Sequence, residues 1–328
     1  MDMQVLVLQR YNGPLERTVL PQPVPQAGEV LVRIKAAGLN PLDTKIRAGS
    51  AAHAKHPLPL VLGIDMAGVI EAVGAGVSQF KPGDEVYGMT GGVAGIQGSL
   101  AQFAAVDARL IALKPANLSM KQAAALPLSF ITSYQGIVDR ARVQAGQTVL
   151  VQGGGGGVGH VSVQLARALG AQVFATVSEA DVALMQQYGA TGIDYRTFSV
   201  EQYVKAHTNA EGFDVVADTV GGATLDASFA AVKQFGHVVS ALGWGTHSLA
   251  PLSFREATYS GVFTLAPLLT GKHREHHGKI LEVATALAEE GKLVPKLDPR
   301  AFDLDSAELA YQSMTDGTAN GKLVVDIR

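Results

Sequence analysis

The sequence predicts an α/β protein: a doubly wound parallel-sheet domain, set between two segments that together form a second, β-rich, barrel-like domain. Three observations predict it. In the middle of the chain, apolar strands alternate with helical segments. A glycine run separates the first of those strands from the first of those helices. The segments on either side have a different rhythm, the first of them made of short strands punctuated by Gly and Pro. Strands alternating with helices build βαβ units, and short strands with Gly and Pro turns build compact sandwiches or barrels.

Composition sets the outer bounds. A chain of 328 residues has room for two domains of ~100–200 residues each. Hydrophobic residues make up 47% and charged residues 17%, which excludes a disordered chain. With 26 basic against 29 acidic side chains, there is no excess positive charge of the kind nucleic-acid binders carry. Cysteine is absent, so disulfides, thiolate nucleophiles and cysteine-held metals are excluded. The start, MDMQVLVLQRYNG, lacks the basic and long apolar regions of a secretion signal, and no apolar run reaches the ~18 residues of a membrane span. The expectation is a cytoplasmic protein acting on a small molecule, with neither membrane nor nucleic acid as partner.

In the first third, residues 4–8 form an apolar strand. Residues 29–36 (EVLVRIKA) alternate with period two, as a half-buried strand requires. Residues 68–73 and 85–87 continue the pattern, with Pro21, Pro23, Pro25, Gly28 and Pro82-Gly83-Asp84 as turns. Ser119 is the predicted N-cap of a short helix over 120–125, and a longer helix is expected over 132–142. TVLVQ (148–152) is an unbroken apolar strand of the kind buried on both faces in parallel sheets. A helix over 158–169 and strands at 172–177, 213–217 and 237–242 follow. The tail has an amphipathic helix over 279–291, another at 305–314 and a last strand at 322–327. The domain bounds that result are 1–124 with 267–328, and 125–266.

Residues 153–159 read GGGGGVG and contain Gly154-x-Gly156-x-x-Gly159. The pattern follows a buried strand and opens a helix, the context in which it binds a dinucleotide. A tight turn favours glycine, a pyrophosphate at close range excludes a Cβ, and the helix N-terminus offers free N–H groups and positive potential. Gly154, Gly156, Gly157, Val158 and Gly159 are therefore the predicted phosphate-binding residues. The end of the second strand bears on the choice of cofactor. NAD enzymes usually place an acid there for the ribose hydroxyls, but here Val177 is followed by Ser178. A small hydroxyl leaves room for a 2′-phosphate, and Tyr195-Arg196 supplies a phenol and a cation. NADP(H) is thus expected over NAD(H), with Glu179 as the competing ribose ligand if the register shifts by one residue.

With these features in place, the chain resembles the zinc-free quinone oxidoreductases of the medium-chain dehydrogenase/reductase superfamily. The resemblance spans essentially the whole chain. It rests on GEVLVRIKAAGLNPLDTKIRAG (28–49), LGIDMAGVIEAVGAGVSQFKPGDEVYG (62–88), the glycine run, DTVGG (218–222) and NGKLVVDI (320–327). It implies a GroES-like catalytic domain from the outer segments, a central Rossmann domain, and hydride transfer from NADPH to a quinone or an α,β-unsaturated carbonyl. Zinc-free alcohol dehydrogenation, or a binding role with little turnover, is the alternative. Asn40 stands where zinc-binding relatives have a cysteine, and Ile64-Asp65 where they have His-Glu. The structural-zinc lobe is missing, so no zinc is expected.

By the same resemblance, Asn40, Asp43 and Lys45 are the candidate catalytic residues: Asn40 to contact substrate or nicotinamide, Asp43 to orient the loop, Lys45 to donate to a developing enolate oxygen. Thr132, Val220, Leu242, Phe263, Leu265 and Lys322 match positions around the cofactor, and Asp218 and Ala241 lie at strand ends where ligands of open sheets sit. His273, His276 and His277 are read as a solvated helix start rather than a metal site, and His53 and His56 as rim residues. A homodimer is expected, because residues 237–265 are unusually apolar and include Trp244, Phe254, Tyr259 and Phe263, and an exposed apolar sheet edge is a liability unless covered.

Overall fold

Strand alternation and turn placement give seven strands in the N-terminal segment: β1 (Asp2–Leu8), β2 (Leu15–Pro21), β3 (Glu29–Gly38), β4 (Asp65–Val73), β5 (Glu85–Met89), β6 (Phe103–Asp107) and β7 (Ile111–Leu113). Helix α1 (Pro41–Arg47) follows β3 and α2 (Met120–Ala124) follows β7. The middle of the chain alternates: α3 (Pro127–Tyr134), β8 (Thr148–Gln152), α4 (Gly159–Ala168), β9 (Gln172–Val177), α5 (Val182–Gln187), β10 (Thr191–Asp194), α6 (Val200–Thr208), β11 (Phe213–Asp218), α7 (Ala223–Ala231), β12 (Val232–Ser240), α8 (Ala250–Ser253) and β13 (Thr258–Gly261). The tail carries α9 (Ala266–Thr270), α10 (Arg274–Glu289), β14 (Phe302–Asp303), α11 (Ala307–Thr315) and β15 (Val324–Asp326). This computed structural model describes residues 1–328. It forms two units, residues 1–128 with 265–291 and 295–328, and residues 129–264 with 292–294. No helix is long and apolar enough to cross a membrane.

The first unit is built on a mixed sheet in the order β14-β15-β3-β4-β5-β7, with β6 also bonded to β3. β4 runs along one edge of β3. The other edge is shared: β6 pairs with residues 29–33 and β15 with residues 36–38. β1 and β2 form a separate antiparallel ribbon. β2 has no counterpart in the sequence reading, because its side chains are largely exposed and leave no apolar alternation. Helix α2 lies so close to the sheet that a Cβ at Gly38 would overlap the Ala124 carbonyl. Ser119 caps it as predicted, accepting from the Gln122 N–H at 3.3 Å. Helix α10 covers β5 and β7, and the buried Tyr87 hydroxyl donates to the Leu281 carbonyl at 2.7 Å. This helix starts five residues earlier than the sequence suggests. His277 therefore lies on its buried stripe with Ile280, Leu281 and Ala284 rather than at a solvated start.

The second unit is a six-stranded parallel sheet in the order β10-β9-β8-β11-β12-β13. This is the doubly wound order, in which the direction of winding reverses beside the first strand. Leu150, Val216, Val238, Phe213 and Phe229 fill one core, with Phe174 and Phe213 rings 5.3 Å apart. The helix expected over 132–142 begins instead at Pro127, whose fixed φ suits a first helical turn. It passes into one π-helical turn over residues 135–140. β12 begins earlier than expected and stops at Ser240, which leaves Ala241 and Leu242 in the loop beyond the strand.

Candidate functional site

In the second unit the glycine run leaves the C-terminal end of β8. Its anchoring comes from the strand ends. The Thr176 hydroxyl donates to Gln152 Oε1 at 2.7 Å and accepts from the Gly153 N–H at 3.1 Å. The Gly154 N–H donates to the Thr176 carbonyl, and the Thr219 hydroxyl to the Gln152 carbonyl at 2.7 Å. The glycines divide the work. Gly153 takes a left-handed φ of +76° and makes the turn. A Cβ at Gly154 would press on Ala175 and Met185, and one at Gly159 would overlap the Gly153 carbonyl, so these two allow the helix to seat on the sheet. A Cβ at Gly156 would meet only the Gly153 carbonyl, at 3.3 Å. Gly157 and Val158 complete the loop, and α4 starts at Gly159 with Val158 as N-cap. His160, buried in its first turn, has Nδ1 2.9 Å from the Gly156 carbonyl.

At the end of β9, Val177 is buried and Ser178 is half-buried. The Tyr195 N–H donates to the Val177 carbonyl at 3.2 Å, which brings Tyr195-Arg196 beside Ser178. The Arg196 guanidinium lies over the Tyr195 ring, 5.6 Å from its centre. Glu179 is exposed, and Asp181 is the acid nearer the glycine turn: a Cβ on Gly155 would overlap its carboxylate. The Ser178 hydroxyl points the same way, 3.4 Å from Asp181 Oδ2.

The far ends of β11 and β12 are set by Asp218. Its buried carboxylate accepts from the Val220 and Gly221 N–H groups at 3.1 and 3.0 Å and from the Ser240 hydroxyl at 2.7 Å. Ser240 Oγ in turn accepts from the Leu242 N–H, so one acid shapes both loops. Val220 projects into solvent. A small cleft of about 20 Å³ opens here between Thr132, Val158, Asp218, Ser240 and Val262. Thr132 is buried with its hydroxyl 2.9 Å from that of Thr264. Phe263 stands edge-on to Trp244, with ring centres 6.3 Å apart.

In the first unit, three distant segments converge. β3 ends at Gly38, opposite Asp65 at the start of β4, and the Leu39 N–H donates to the Leu323 carbonyl just before β15. Asn40, Asp65 and Lys322 are thereby brought together out of water. Asn40 Nδ2 donates to Asp65 Oδ2 at 2.9 Å. The Lys322 ammonium donates to Asn40 Oδ1 at 2.5 Å and to the Leu39 carbonyl at 3.0 Å, and stands 3.9 Å from Asp65. The Leu128 N–H donates to the other Asp65 oxygen at 3.0 Å. Burial pushes the Asp65 carboxyl up and the Lys322 ammonium down from their ordinary ranges, and each restrains the shift of the other.

Asp43 accepts the Asn40 N–H at 2.8 Å through one oxygen. Its other oxygen, like the Tyr311 hydroxyl, is buried with no hydrogen bond of good geometry, and the two groups influence each other's protonation. Burial raises the Asp43 carboxyl to about 7, the nearby Asp65 adding to the effect. Lys45 does not join this cluster. It lies on the exposed side of α1. Leu265 is buried at the start of α9. Beyond the other end of α1 is a cavity of about 310 Å³ lined by Tyr11, Ile46, Ala52, Lys55, His56 and Pro57. His56 Nδ1 accepts from the Gly95 N–H at 3.2 Å, so Nε2 carries the proton and faces the Val61 carbonyl.

The residues at the zinc position do not suit that metal. A catalytic zinc needs three good protein donors. Asn40 Oδ1 and Asp65 Oδ2 both face the Lys322 ammonium, which would repel a dication, and no group of three His, Cys, Asp or Glu side chains is placed to hold a metal.

Comparison with known proteins agrees with this architecture. Residues 26–116 match the alcohol dehydrogenase GroES-like domain family and residues 188–325 the zinc-binding dehydrogenase family. A tomato (Solanum lycopersicum) protein, 2-methylene-furan-3-one reductase, is 37% identical over 90% of this chain and 71% of its own length. The chain belongs to the medium-chain dehydrogenase/reductase superfamily. The chloroplastic NADPH-dependent alkenal/one oxidoreductase of Arabidopsis thaliana is 34% identical over 99% of this chain and 79% of its own. Human quinone oxidoreductase is 29% identical over 98% and 97%. Among solved structures, an alcohol dehydrogenase superfamily protein from Novosphingobium aromaticivorans superposes with a TM-score of 0.98 at 55% identity, over 99% of this chain and 100% of that one. The chain is thus an oxidoreductase by kinship as well as by architecture.

Two residues of the buried cluster were not singled out as functional from the sequence. In the sequence Asp65 reads only as the single zinc-type donor left at that position, although an acid opening an otherwise apolar strand is a usable signal. Tyr311 gave none, because an aromatic residue on a helix stripe reads as core.

Proposed function

We propose that this protein reduces the double bond of an α,β-unsaturated carbonyl, or a quinone, with NADPH and without zinc. The observation that carries the reading is the glycine turn at the end of β8: Gly156 and Gly157 are exposed at its tip, and it delivers the N-terminus of α4 to the sheet's switch point. Kinship with alkenal and quinone reductases supplies the substrate class.

Gly154, Gly156, Gly157, Val158 and Gly159 would hold the pyrophosphate. Ser178, Tyr195 and Arg196 would lie along the adenosine ribose, and Val220, Leu242, Thr132, Phe263 and Leu265 would line the nicotinamide half. Bound there, the cofactor supplies the hydride; the protein supplies orientation and charge. Asn40 is not free to grip substrate, since both ends of its amide are spent on Asp65 and Lys322. Its part is to hold the Lys322 ammonium in place. That ammonium provides positive potential toward the oxygen on which negative charge develops, the task a metal performs in zinc enzymes. Asp43 orients Asn40 through its backbone N–H. Lys45, on the solvent side of the same helix, remains a candidate donor to the enolate. The cavity beyond α1 would receive the body of the substrate.

Oxidation of NADPH by a panel of enones, quinones and simple ketones tests this. Turnover with enones or quinones that survives dialysis against a strong chelator is expected. Turnover confined to alcohols and simple ketones, or lost with the chelator and restored by zinc, would overturn it.

A further inference from the structure

The adenosine end of the dinucleotide site holds an acid that the sequence pattern does not place there. In doubly wound folds the ribose lies between the glycine turn and the end of the second strand, where a carboxylate accepts from its hydroxyls. Val177 occupies the usual position, and Glu179 is exposed. The carboxylate that does reach this space comes from Asp181, two residues further on, because residues 179–181 form a single 3₁₀ turn that folds the chain back. The turn is closed by the Asp181 N–H donating to the Ser178 carbonyl at 3.0 Å. Its effect is to set the Asp181 side chain directly over Gly155. The Ser178 hydroxyl points at Asp181 Oδ2, so the group best suited to greet a 2′-phosphate is aimed at an anion. The chain also brings a cation to this strand end: Tyr195 donates its N–H to the Val177 carbonyl, and the Arg196 guanidinium lies across the Tyr195 ring.

We propose that Asp181 is the residue that discriminates at the adenosine 2′ position. It accepts a hydrogen bond from the ribose hydroxyls of NADH and opposes the 2′-phosphate of NADPH. Arg196 and Tyr195 pull the other way. The preference for NADPH is consequently narrow, and NADH is a usable second cofactor. This rests on the dinucleotide reading above and adds the residue that sets its selectivity.

The test uses the full-length protein and binding alone. NADPH, NADH and the fragment 2′,5′-ADP are titrated against the wild type, Asp181→Asn, Asp181→Ser and Glu179→Gln, with circular dichroism as the check on folding. A carboxylate in hydrogen-bonding contact with a ligand accounts for roughly tenfold or more in affinity. Both Asp181 variants should therefore weaken NADH and tighten NADPH and 2′,5′-ADP, moving the NADH-to-NADPH Kd ratio by about tenfold or more, while Glu179→Gln moves it less than about twofold. A structural role for Asp181 in the glycine turn would weaken all three ligands together, and that result overturns the proposal. So does a ratio that follows Glu179 instead. A wild type that binds neither dinucleotide would remove the reading on which the proposal stands, an outcome separate from a ratio that fails to move.

Discussion

Neighbouring glycines of one turn carry different loads, and substitution should separate them. Gly156 is exposed and a Cβ there would meet only the Gly153 carbonyl, at 3.3 Å, whereas a Cβ at Gly159 would overlap that carbonyl. Gly156→Val should leave the protein folded while weakening NADPH binding by about a hundredfold or more, since a branched side chain fills the pyrophosphate's place. Gly159→Ala should lower stability by about 3 kcal/mol, because helix and strand must part to admit it. Fluorescence titration and thermal melts together check the pair; a Gly156→Val protein that binds NADPH normally would move the phosphate site elsewhere. These glycines were legible in the sequence because the demand for no side chain dictates identity. Asp181 was not. An acid after a strand looks like an ordinary solvated residue, and only the 3₁₀ turn over 179–181 carries it to the glycine turn. Lys322 was legible as a site residue by family resemblance, but its burial against Asn40 and Asp65 was not, because that depends on the pairing of Leu39 with Leu323.

Helix α10 shows what an element's register does to a single side chain. Starting at Arg274 turns His277 into the core, where neither ring nitrogen finds a hydrogen bond and burial lowers its pKa to about 4. The folded state thus prefers the neutral ring. The contribution is complete above the ordinary histidine pKa near 6.5 and is lost as pH falls from there toward 4. Asp43 acts oppositely: its raised pKa makes the fold lose stability as pH rises from about 4 to 7. The two partly cancel, so a difference measurement is needed. His277→Leu should be neutral or mildly stabilising at pH 7.5 and should gain on the wild type by up to roughly 3 kcal/mol as pH falls to 4. Urea titrations at several pH values would show it; a difference independent of pH would mean that His277 keeps its ordinary pKa. Strands such as β8 and β9 were readable to the residue, because burial on both faces leaves an unbroken apolar run. β2 was not, and neither was the start of α10, since its first turn, Arg-Glu-His-His, is polar in sequence whichever way it faces.

On the scale of the whole molecule, the parallel sheet ends at β13, which bonds only to β12 and leaves its other edge open. Around it Phe254 is 86% exposed, Leu249 59% and Trp244 54%. An apolar edge of this kind invites pairing across a two-fold axis with the same edge of a second chain. Sedimentation equilibrium at micromolar protein should give a mass near twice 34.2 kDa; a single chain would mean that the edge is tolerated uncovered. The order of winding was legible from the alternation of strands and helices. The meeting of β15 with β3 was not, because nothing local marks two strands as partners when Val324 pairs with Gly38. That pairing also orders events on the ribosome. Residues 129–264 can fold as soon as they emerge, every strand of their sheet being supplied by their own stretch of chain. The first unit cannot. β3 stays without part of its edge, and Asn40 and Asp65 without their cation, until residues 322–326 have also emerged. The segment made before the parallel sheet is therefore finished after it, and in the interval it waits as a half-built sheet with one edge open.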